Sequence, residues 1–152
     1  MNKENKVLII DSLNLFIRAY IVNPKLGLDG SPMGGTFGFL SSLQKLCKEV
    51  SPSQIVICYD GVGGSKRRKR MFSGYKDGRK PIRLNRSINQ NLSPDEEEKN
   101  KNIQFLKLIE YLNEMPIIQL VLDDIEADDI IARVCNLRCL QGKTKVIISS
   151  DK

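Results

Sequence analysis

Residues 6–11 read Lys-Val-Leu-Ile-Ile-Asp, a short apolar run that stops at an aspartate, and residues 54–60 read Gln-Ile-Val-Ile-Cys-Tyr-Asp, a second run that stops in the same way. Their length and their β-branched residues predict two strands. Residues 117–122 and 145–149 give two further apolar runs. Helical patterns lie between these runs, and this alternation predicts the α/β class with a parallel sheet.

The connections between these strands show helical periodicity. Helices are predicted over 12–20, from about 36 to 50, from 93 to about 114 and from 126 to about 140, with a Gly- and Pro-rich loop over 24–38. Ser93, Pro94 and Glu96 give a capping box with proline at the first helical position. The inward face of that helix is expected to carry Ile103, Leu106, Ile109 and Leu112. Asp124 is expected to cap the helix that follows.

The composition narrows the possible chemistry. The 152 residues are 41% hydrophobic and include no histidine, which excludes Ser-His-Asp and Cys-His catalysis and His-ligated zinc. No apolar run approaches the roughly 20 residues of a membrane helix, and residues 1–6 lack the apolar stretch of a signal peptide. We therefore expect one cytoplasmic domain over residues 1–152, in the host cytoplasm if the source is a bacteriophage. Its four cysteines are expected to stay reduced.

Positive charge is concentrated in one part of the chain. Between Gly61 and Gln90 lie ten basic residues and one acid, Asp77, so this segment carries +9 of a chain whose net charge is +6, and the rest carries −3. The basic residues are Lys66, Arg67, Arg68, Lys69, Arg70, Lys76, Arg79, Lys80, Arg83 and Arg86. The rings of Phe72 and Tyr75 are interleaved with them and can stack on bases. An acidic body with one basic insertion is typical of a protein that binds the phosphate backbone.

Acidic residues follow the ends of the predicted strands. In an open α/β sheet the carboxyl ends of the strands form the ligand-binding edge. The acids expected there are Asp11, Asp60, Glu126, Asp128, Asp129 and Asp151. Two carboxylates ~5 Å apart repel by roughly 3 kcal/mol at an effective dielectric constant of ~20, so such a cluster needs a cation. Oxygen ligands without histidine or cysteine favour Mg²⁺ or Mn²⁺, the ions of phosphoryl chemistry. Taken singly, each acid also fits a turn or a helix start, and Asp123 and Asp124 are assigned only that role.

Short motifs follow one another along the chain. They are residues 7–20, Gly35-Thr-Phe-Gly-Phe-Leu40, Ile57-Cys-Tyr-Asp-Gly61, Tyr75-Lys-Asp-Gly-Arg79, Glu126-Ala-Asp-Asp129 and Ser149-Ser-Asp-Lys152. Together they resemble the flap-endonuclease and 5′–3′ exonuclease family, in particular its bacterial polymerase-associated and bacteriophage members. In chain order they are similar to its opening motif, the helix start after it, the second acidic motif and the motif of the helical arch. Glu126-Ala-Asp-Asp129 resembles the most diagnostic acidic string, and Ser149-Ser-Asp-Lys152 matches the beginning of the next.

The resemblance implies a parallel-sheet, PIN-like 5′-nuclease domain with a basic arch insertion at about residues 62–92. It implies that the six acids named above hold divalent metal, Mg²⁺ or Mn²⁺, with two ions in the complete enzyme. It also implies that Arg18, Tyr75, Lys76 and Arg79 contact substrate. Lys76 and Arg79 are our candidates for catalysis, because they can offset charge at the scissile phosphate. The arch, including Lys66 to Arg70, would receive a single-stranded 5′ end of DNA.

The sequence departs from the family pattern after Lys152. The family adds further acids and a helix-turn-helix-like element there, so the resemblance implies that the C-terminal part of the family fold lies outside this sequence. We expect a 5′-nuclease that acts on DNA with a 5′ single-stranded end or flap, or on the RNA of an RNA–DNA hybrid. We expect either that the chain is a natural or engineered N-terminal fragment or that a separate C-terminal polypeptide, as a partner, supplies the rest. A membrane is not an expected partner. Two alternatives stay open: a compact PIN-type ribonuclease, and a nucleic-acid-binding fragment without activity of its own.

Overall fold

The computed structural model describes residues 5–71 and 92–149, except the side chains of residues 67–69. The strands are β1 (Lys6–Asp11), β2 (Gln54–Tyr59), β3 (Ile118–Val121) and β4 (Thr144–Ile148). The helices are α1 (Ser12–Val22), α2 (Gly34–Val50), α3 (Gly64–Met71), α4 (Pro94–Asn113) and α5 (Ala127–Cys135), followed by a 3-10 turn at Arg138–Leu140. Within these ranges no helix is long and apolar enough to cross a membrane.

The four strands form one sheet in the order β3-β2-β1-β4, and every pairing is parallel. Asp11 at the end of β1 is in register with Cys58 of β2. Because the strands are parallel, their carboxyl ends lie at one edge of the sheet. The predicted α/β class with a parallel sheet is confirmed.

The chain divides into two compact units. Among the described residues, the first unit takes in 5–13, 50–71 and 117–149, and the second takes in 14–49 and 92–116. The first unit contains the sheet, α3 and α5. Its core places one face of β1 and β2 against the inner side of α5, with Val7, Ile9, Val56, Cys58, Ala127, Ile130, Ile131, Val134 and Leu140 buried. Burial of such a continuous apolar set holds α5 on the sheet.

The second unit is helical and contains most of α1, together with α2 and α4. Phe16 of α1 packs edge-on against Phe105 of α4, with ring centroids 5.0 Å apart. The Tyr20 hydroxyl donates to the Glu97 carbonyl over 3.0 Å. Gln104 of α4 is fully buried, and its Oε1 accepts from the amide of Gly35 at 2.8 Å. A helix begins with amide groups that lack partners within the helix, so this side chain caps α2 from a different helix.

Most predicted elements are confirmed, including β2, which ends directly before Asp60, and the capping box at Ser93. The basic segment contains a helix, α3, which the sequence pattern did not predict. The expected inward face of α4 is partly wrong: Ile103 and Leu106 are exposed, whereas Leu112 is buried. The expected cap at Asp124 is also wrong, because its φ is 60° and the capping position belongs to Glu126.

Candidate active site at the carboxyl edge of the sheet

Two of the predicted acids lie where neighbouring parallel strands end. Asp11 is the last residue of β1, and Asp60 comes directly after β2. β3 pairs with β2 on its other side, and the segment after β3 leads into α5. The first turn of α5 therefore begins at the same edge of the sheet as Asp11 and Asp60, as predicted.

The Asp60 carboxylate is joined to the beginning of α5 by a hydrogen bond. Its Oδ1 accepts from the backbone N–H of Ala127 over 2.7 Å. Ala127 is the first residue of the helix, and the side chain of Glu126, at the capping position, makes no capping hydrogen bond. The α5 N-terminus is thus capped by a carboxylate from another strand, which also complements the positive end of the helix dipole.

The three acids of α5 differ in their exposure to solvent. Glu126 is buried, with 3% of its surface exposed, whereas Asp128 is half-buried and Asp129 is exposed. Glutamate is seldom buried in this way unless it is paired. The burial distinguishes Glu126 from an ordinary surface acid of a first helical turn.

Cys58, the cysteine that precedes Asp60 by two residues, has an unreactive thiol. Burial raises the pKa of the Cys58 thiol to about 12, with smaller contributions from the charge of Asp11 and from the neighbouring Cys135. The thiolate is the nucleophilic form, so Cys58 is not a nucleophile near neutral pH. All four cysteines lie within the described residues and none forms a disulfide. The reduced state of the cysteines stays a prediction, and oxygen ligands are the candidates for the chemistry of the edge.

The loops that follow β2 and β3 are interlocked through their backbones. The Gly61 N–H donates to the Ile125 carbonyl over 2.8 Å, and the Asp124 N–H donates to the Val62 carbonyl over 3.0 Å. A Cβ atom at Gly61 would lie 1.8 Å from the Leu122 carbonyl oxygen, so only glycine fits there. Sequence reasoning missed this close approach. Its one signal was the Asp60-Gly61 pair, which predicts only a turn.

The basic helix α3 begins three residues after the interlocked Gly61. It carries Lys66, Arg67, Arg68, Lys69 and Arg70 within eight residues. Lys66 and Arg70 are exposed, and the side chains of the three residues between them lie outside the described part. The first unit therefore joins an acidic strand edge directly to a cationic helix.

Residues 6–152 match the family described as 5′-3′ exonuclease, N-terminal resolvase-like domain. The chain belongs to this family. It is 33% identical over 149 residues to the flap endonuclease Xni of Shewanella woodyi, covering 97% of this chain and 51% of that protein. It is 31% identical over 150 residues to DNA polymerase I of Geobacillus stearothermophilus, covering 98% of this chain and 15% of that protein.

Solved structures show the same fold as this exonuclease-family chain. The bacteriophage T5 D15 protein, co-crystallised with metal ions, gives a TM-score of 0.66 at 18% identity over 96% of this chain and 48% of that one. The T5 D15 flap endonuclease in a complex with DNA and metal ions gives 0.61 at 21% identity, over 96% of this chain and 49% of that one. The chain thus spans about half the length, or less, of the relatives that it matches.

The predicted metal ligands can be tested for fit to a divalent cation. Their chemistry fits, because Asp11, Asp60 and the acids of α5 offer only carboxylate oxygens, the donors that Mg²⁺ and Mn²⁺ prefer. The positions of these side chains meet the requirements of a cation site only in part. Within residues 5–71 and 92–149, no three acidic or cysteine side chains lie close enough together to hold one ion. The structure brings Asp60 against the start of α5, and Asp151 lies outside the described residues.

The predicted substrate-binding residues of this 5′-3′ exonuclease-family chain lie on α3, on α1 and outside the described residues. Lys66 and Arg70 are exposed on α3, in the unit that holds the acidic edge, and Arg18 is exposed on α1 in the second unit. For Arg67, Arg68 and Lys69 the structure describes only their place in α3. Tyr75, Lys76 and Arg79 lie outside the described residues, so their assigned roles stay predictions.

Proposed function

We propose that this chain is the catalytic part of a metal-dependent 5′-nuclease, which hydrolyses phosphodiester bonds near the 5′ end of DNA. The observation that carries the proposal is the contact between Asp60 and Ala127 over 2.7 Å. It joins the acid after β2 to the helix turn that carries Glu126, Asp128 and Asp129. The Asp60 carboxylate and the acidic turn are thereby neighbours at one edge of the unit that also carries the cationic helix α3.

In this proposal the acids and the basic helix have separate tasks. The carboxylates of Asp11, Asp60, Asp151 and the α5 turn hold Mg²⁺ or Mn²⁺, directly or through waters, with two ions in the complete enzyme. A bound ion of this type supplies an activated water and neutralises charge at the phosphate. The residues of α3 draw the phosphate backbone towards acids that would otherwise repel it. Lys76 and Arg79 support the scissile phosphate, Tyr75 stacks on a base, and Arg18 contacts the substrate.

The substrate and partner follow from the same arrangement. DNA with a 5′ single-stranded end or flap is the proposed substrate, supported by the flap-endonuclease relatives and by the DNA complex of the T5 D15 protein. RNA of an RNA–DNA hybrid is a second proposed substrate. We also propose a separate C-terminal polypeptide as a partner. The cysteines without disulfides support the cytoplasm as the proposed compartment.

The test compares two single substitutions in the chain, Asp60→Asn and Asp123→Asn. The unaltered chain should bind Mn²⁺ and cleave 5′-labelled flap DNA slowly, and EDTA should stop the cleavage. Asp60→Asn should abolish cleavage and spare DNA binding in EDTA, because it removes one ligand charge from the edge. Asp123 is an exposed acid without an assigned role in metal binding, so Asp123→Asn should behave like the unaltered chain. Cleavage that survives Asp60→Asn would contradict the proposal.

A nucleic-acid-binding part without activity of its own is the second candidate. It is favoured by the finding that no three acidic or cysteine side chains of the described residues lie close enough to hold one ion. DNA binding in EDTA, with no turnover in Mg²⁺ or Mn²⁺, would select it. Cleavage of unstructured RNA, with no cleavage of the DNA flap, would instead select the compact PIN-type ribonuclease.

A further inference from the structure

We infer that the backbone N–H of Ala127 is a positioning group for the Asp60 carboxylate, which uses Oδ1 to cap α5 and presents Oδ2 to the cation. This inference rests on the proposed function for its metal half. The hydrogen bond itself, which caps α5 from another loop, does not depend on that function, because it follows from the observed distance. Asp60 thereby acts on two elements, the edge of the sheet and the acidic turn.

The hydrogen bond satisfies an amide that a helix cannot satisfy by itself. Ala127 is the first residue of α5, and the first amides of a helix have no partner within the helix. Glu126 precedes it with φ −82° and ψ 155°, and its own side chain does not cap the helix. Asp60, 67 residues earlier in the chain, fills that role over 2.7 Å. The Glu126 carboxylate is therefore not needed at the cap.

The hydrogen bond from Ala127 uses Oδ1 of Asp60 and leaves the second oxygen, Oδ2, available to a cation. Its single contact with the described residues is made by Oδ1, and Asp60 is exposed to solvent. A hydrogen bond to one oxygen restricts the rotation of a carboxylate, and so it narrows the directions in which the second oxygen can point. Partners of this kind orient metal ligands, and their removal costs about 10- to 100-fold in metal affinity.

Backbone contacts on both sides hold the two loops at a constant separation. Gly61, the next residue after Asp60, donates to the Ile125 carbonyl over 2.8 Å, and its α-carbon lies against the Leu122 carbonyl. Ala127 is itself buried in the core cluster under α5. The backbone next to Asp60 and the residue Ala127 are thus both held in place by their contacts.

The first experiment removes the donor and leaves the carboxylate unchanged. Ala127→Pro deletes the N–H at a helix position that tolerates proline, and the extended backbone of Glu126 suits a residue before proline. Ala127→Ser is the matched control, because it also adds atoms in the buried position but keeps the N–H. With circular dichroism showing intact helix, Ala127→Pro should weaken Mn²⁺ binding about 10- to 100-fold and Ala127→Ser less than about threefold. Equal affinities in the two folded variants would overturn the inference.

The second experiment needs no metal and serves if Ala127→Pro does not fold. Amide hydrogen exchange is measured for Ala127 in Asp60→Asn, which keeps an acceptor oxygen, and in Asp60→Ala, which has none. Exchange at Ala127 should be at least about tenfold faster in Asp60→Ala, while Ile130, whose amide bonds to Glu126 within the helix, changes little. Equal exchange at Ala127 in both variants would overturn the cap. Absence of Mn²⁺ binding by the unaltered chain would overturn the proposed function, and this comparison would still decide the hydrogen bond.

Discussion

Tyr20 shows how one buried side chain makes stability depend on pH. It is fully buried, and its hydroxyl donates to the Glu97 carbonyl. Burial, followed by the charge of Glu97, raises the pKa of this phenol to about 12, although the neighbouring side chain of Asn100 lowers it somewhat. The native state therefore keeps the proton over a range in which the unfolded chain has lost it.

The substitution Tyr20→Phe tests this linkage. The phenol of the unfolded chain titrates near 10 and that of the native chain near 12, so the stabilising effect of Tyr20 is complete below pH 10 and is lost as the pH rises towards 12. At neutral pH the unaltered chain should be more stable by about 1 kcal/mol, from the hydrogen bond. Between pH 10 and 12 that advantage should fall by on the order of 2 kcal/mol. Urea unfolding at several pH values measures it, and parallel pH profiles for the two proteins would contradict the assignment.

Single residues also show how far sequence reasoning reached. Asp11, Asp60 and the acids of α5 were predicted at one edge because strand ends can be read from apolar runs. The hydrogen bond from Ala127 to Asp60 could not be predicted, because its partners are 67 residues apart and meet only through the pairing of β2 with β3. The cap at Asp124 was wrong: this residue has a φ of 60°, and its N–H donates to the Val62 carbonyl in the preceding loop.

At the scale of elements, α4 departs most from its predicted packing. Periodicity placed Ile103 and Leu106 inward, yet both are exposed and the polar Gln104 is buried. Gln104 is buried because the amides of Gly35 and Thr36, at the start of α2, need a hydrogen-bond acceptor. A pattern that scores only apolar residues cannot register this need, because a buried glutamine reads as polar surface.

The capping role of Gln104 gives a prediction for α4. Gln104→Leu keeps a similar volume but leaves two amides of α2 and the Pro32 carbonyl without the partners that Oε1 and Nε2 now provide. Each buried unsatisfied group costs about 1–3 kcal/mol, so the loss in unfolding free energy should be about 3 kcal/mol or more. Leu106→Gln, the reverse exchange at an exposed position of the same helix, should cost less than about 0.5 kcal/mol. Urea unfolding of both variants makes the comparison, and a mild effect of Gln104→Leu would contradict the role.

At the scale of the whole molecule, charge is divided between an acidic edge and the basic helix α3. Replacing Lys66 through Arg70 by serine should weaken the binding of all DNA sequences alike, because contacts to the phosphate backbone carry no sequence information. The slope of log affinity against log salt should become shallower by about one unit for each phosphate group that the variant no longer neutralises. The double variant Lys45→Ser, Lys48→Ser in α2 is the control and should keep the original slope. Fluorescence anisotropy measures the DNA affinity of each variant at several salt concentrations. A loss of affinity for only some DNA sequences would contradict binding to the phosphate backbone.

The fold class could be predicted from the sequence, whereas the strand order and the division into two units could not. Apolar runs that alternate with helical periods give an α/β protein with a parallel sheet, since both signals are local. The strand order β3-β2-β1-β4 and the division into two compact units depend on contacts between distant parts of the chain. The helix α3 was missed because its eight residues carry five charges and no apolar periodicity.

The buried contact between Gln104 and the start of α2 also has a consequence for synthesis of the chain. Gly35 leaves the ribosome 69 residues before its acceptor does. At about 5–20 residues per second, the nascent N-terminus of α2 waits roughly 3 to 14 s for the side chain that completes it. During that interval water must satisfy the first amides of α2, because their acceptor has not yet been synthesised.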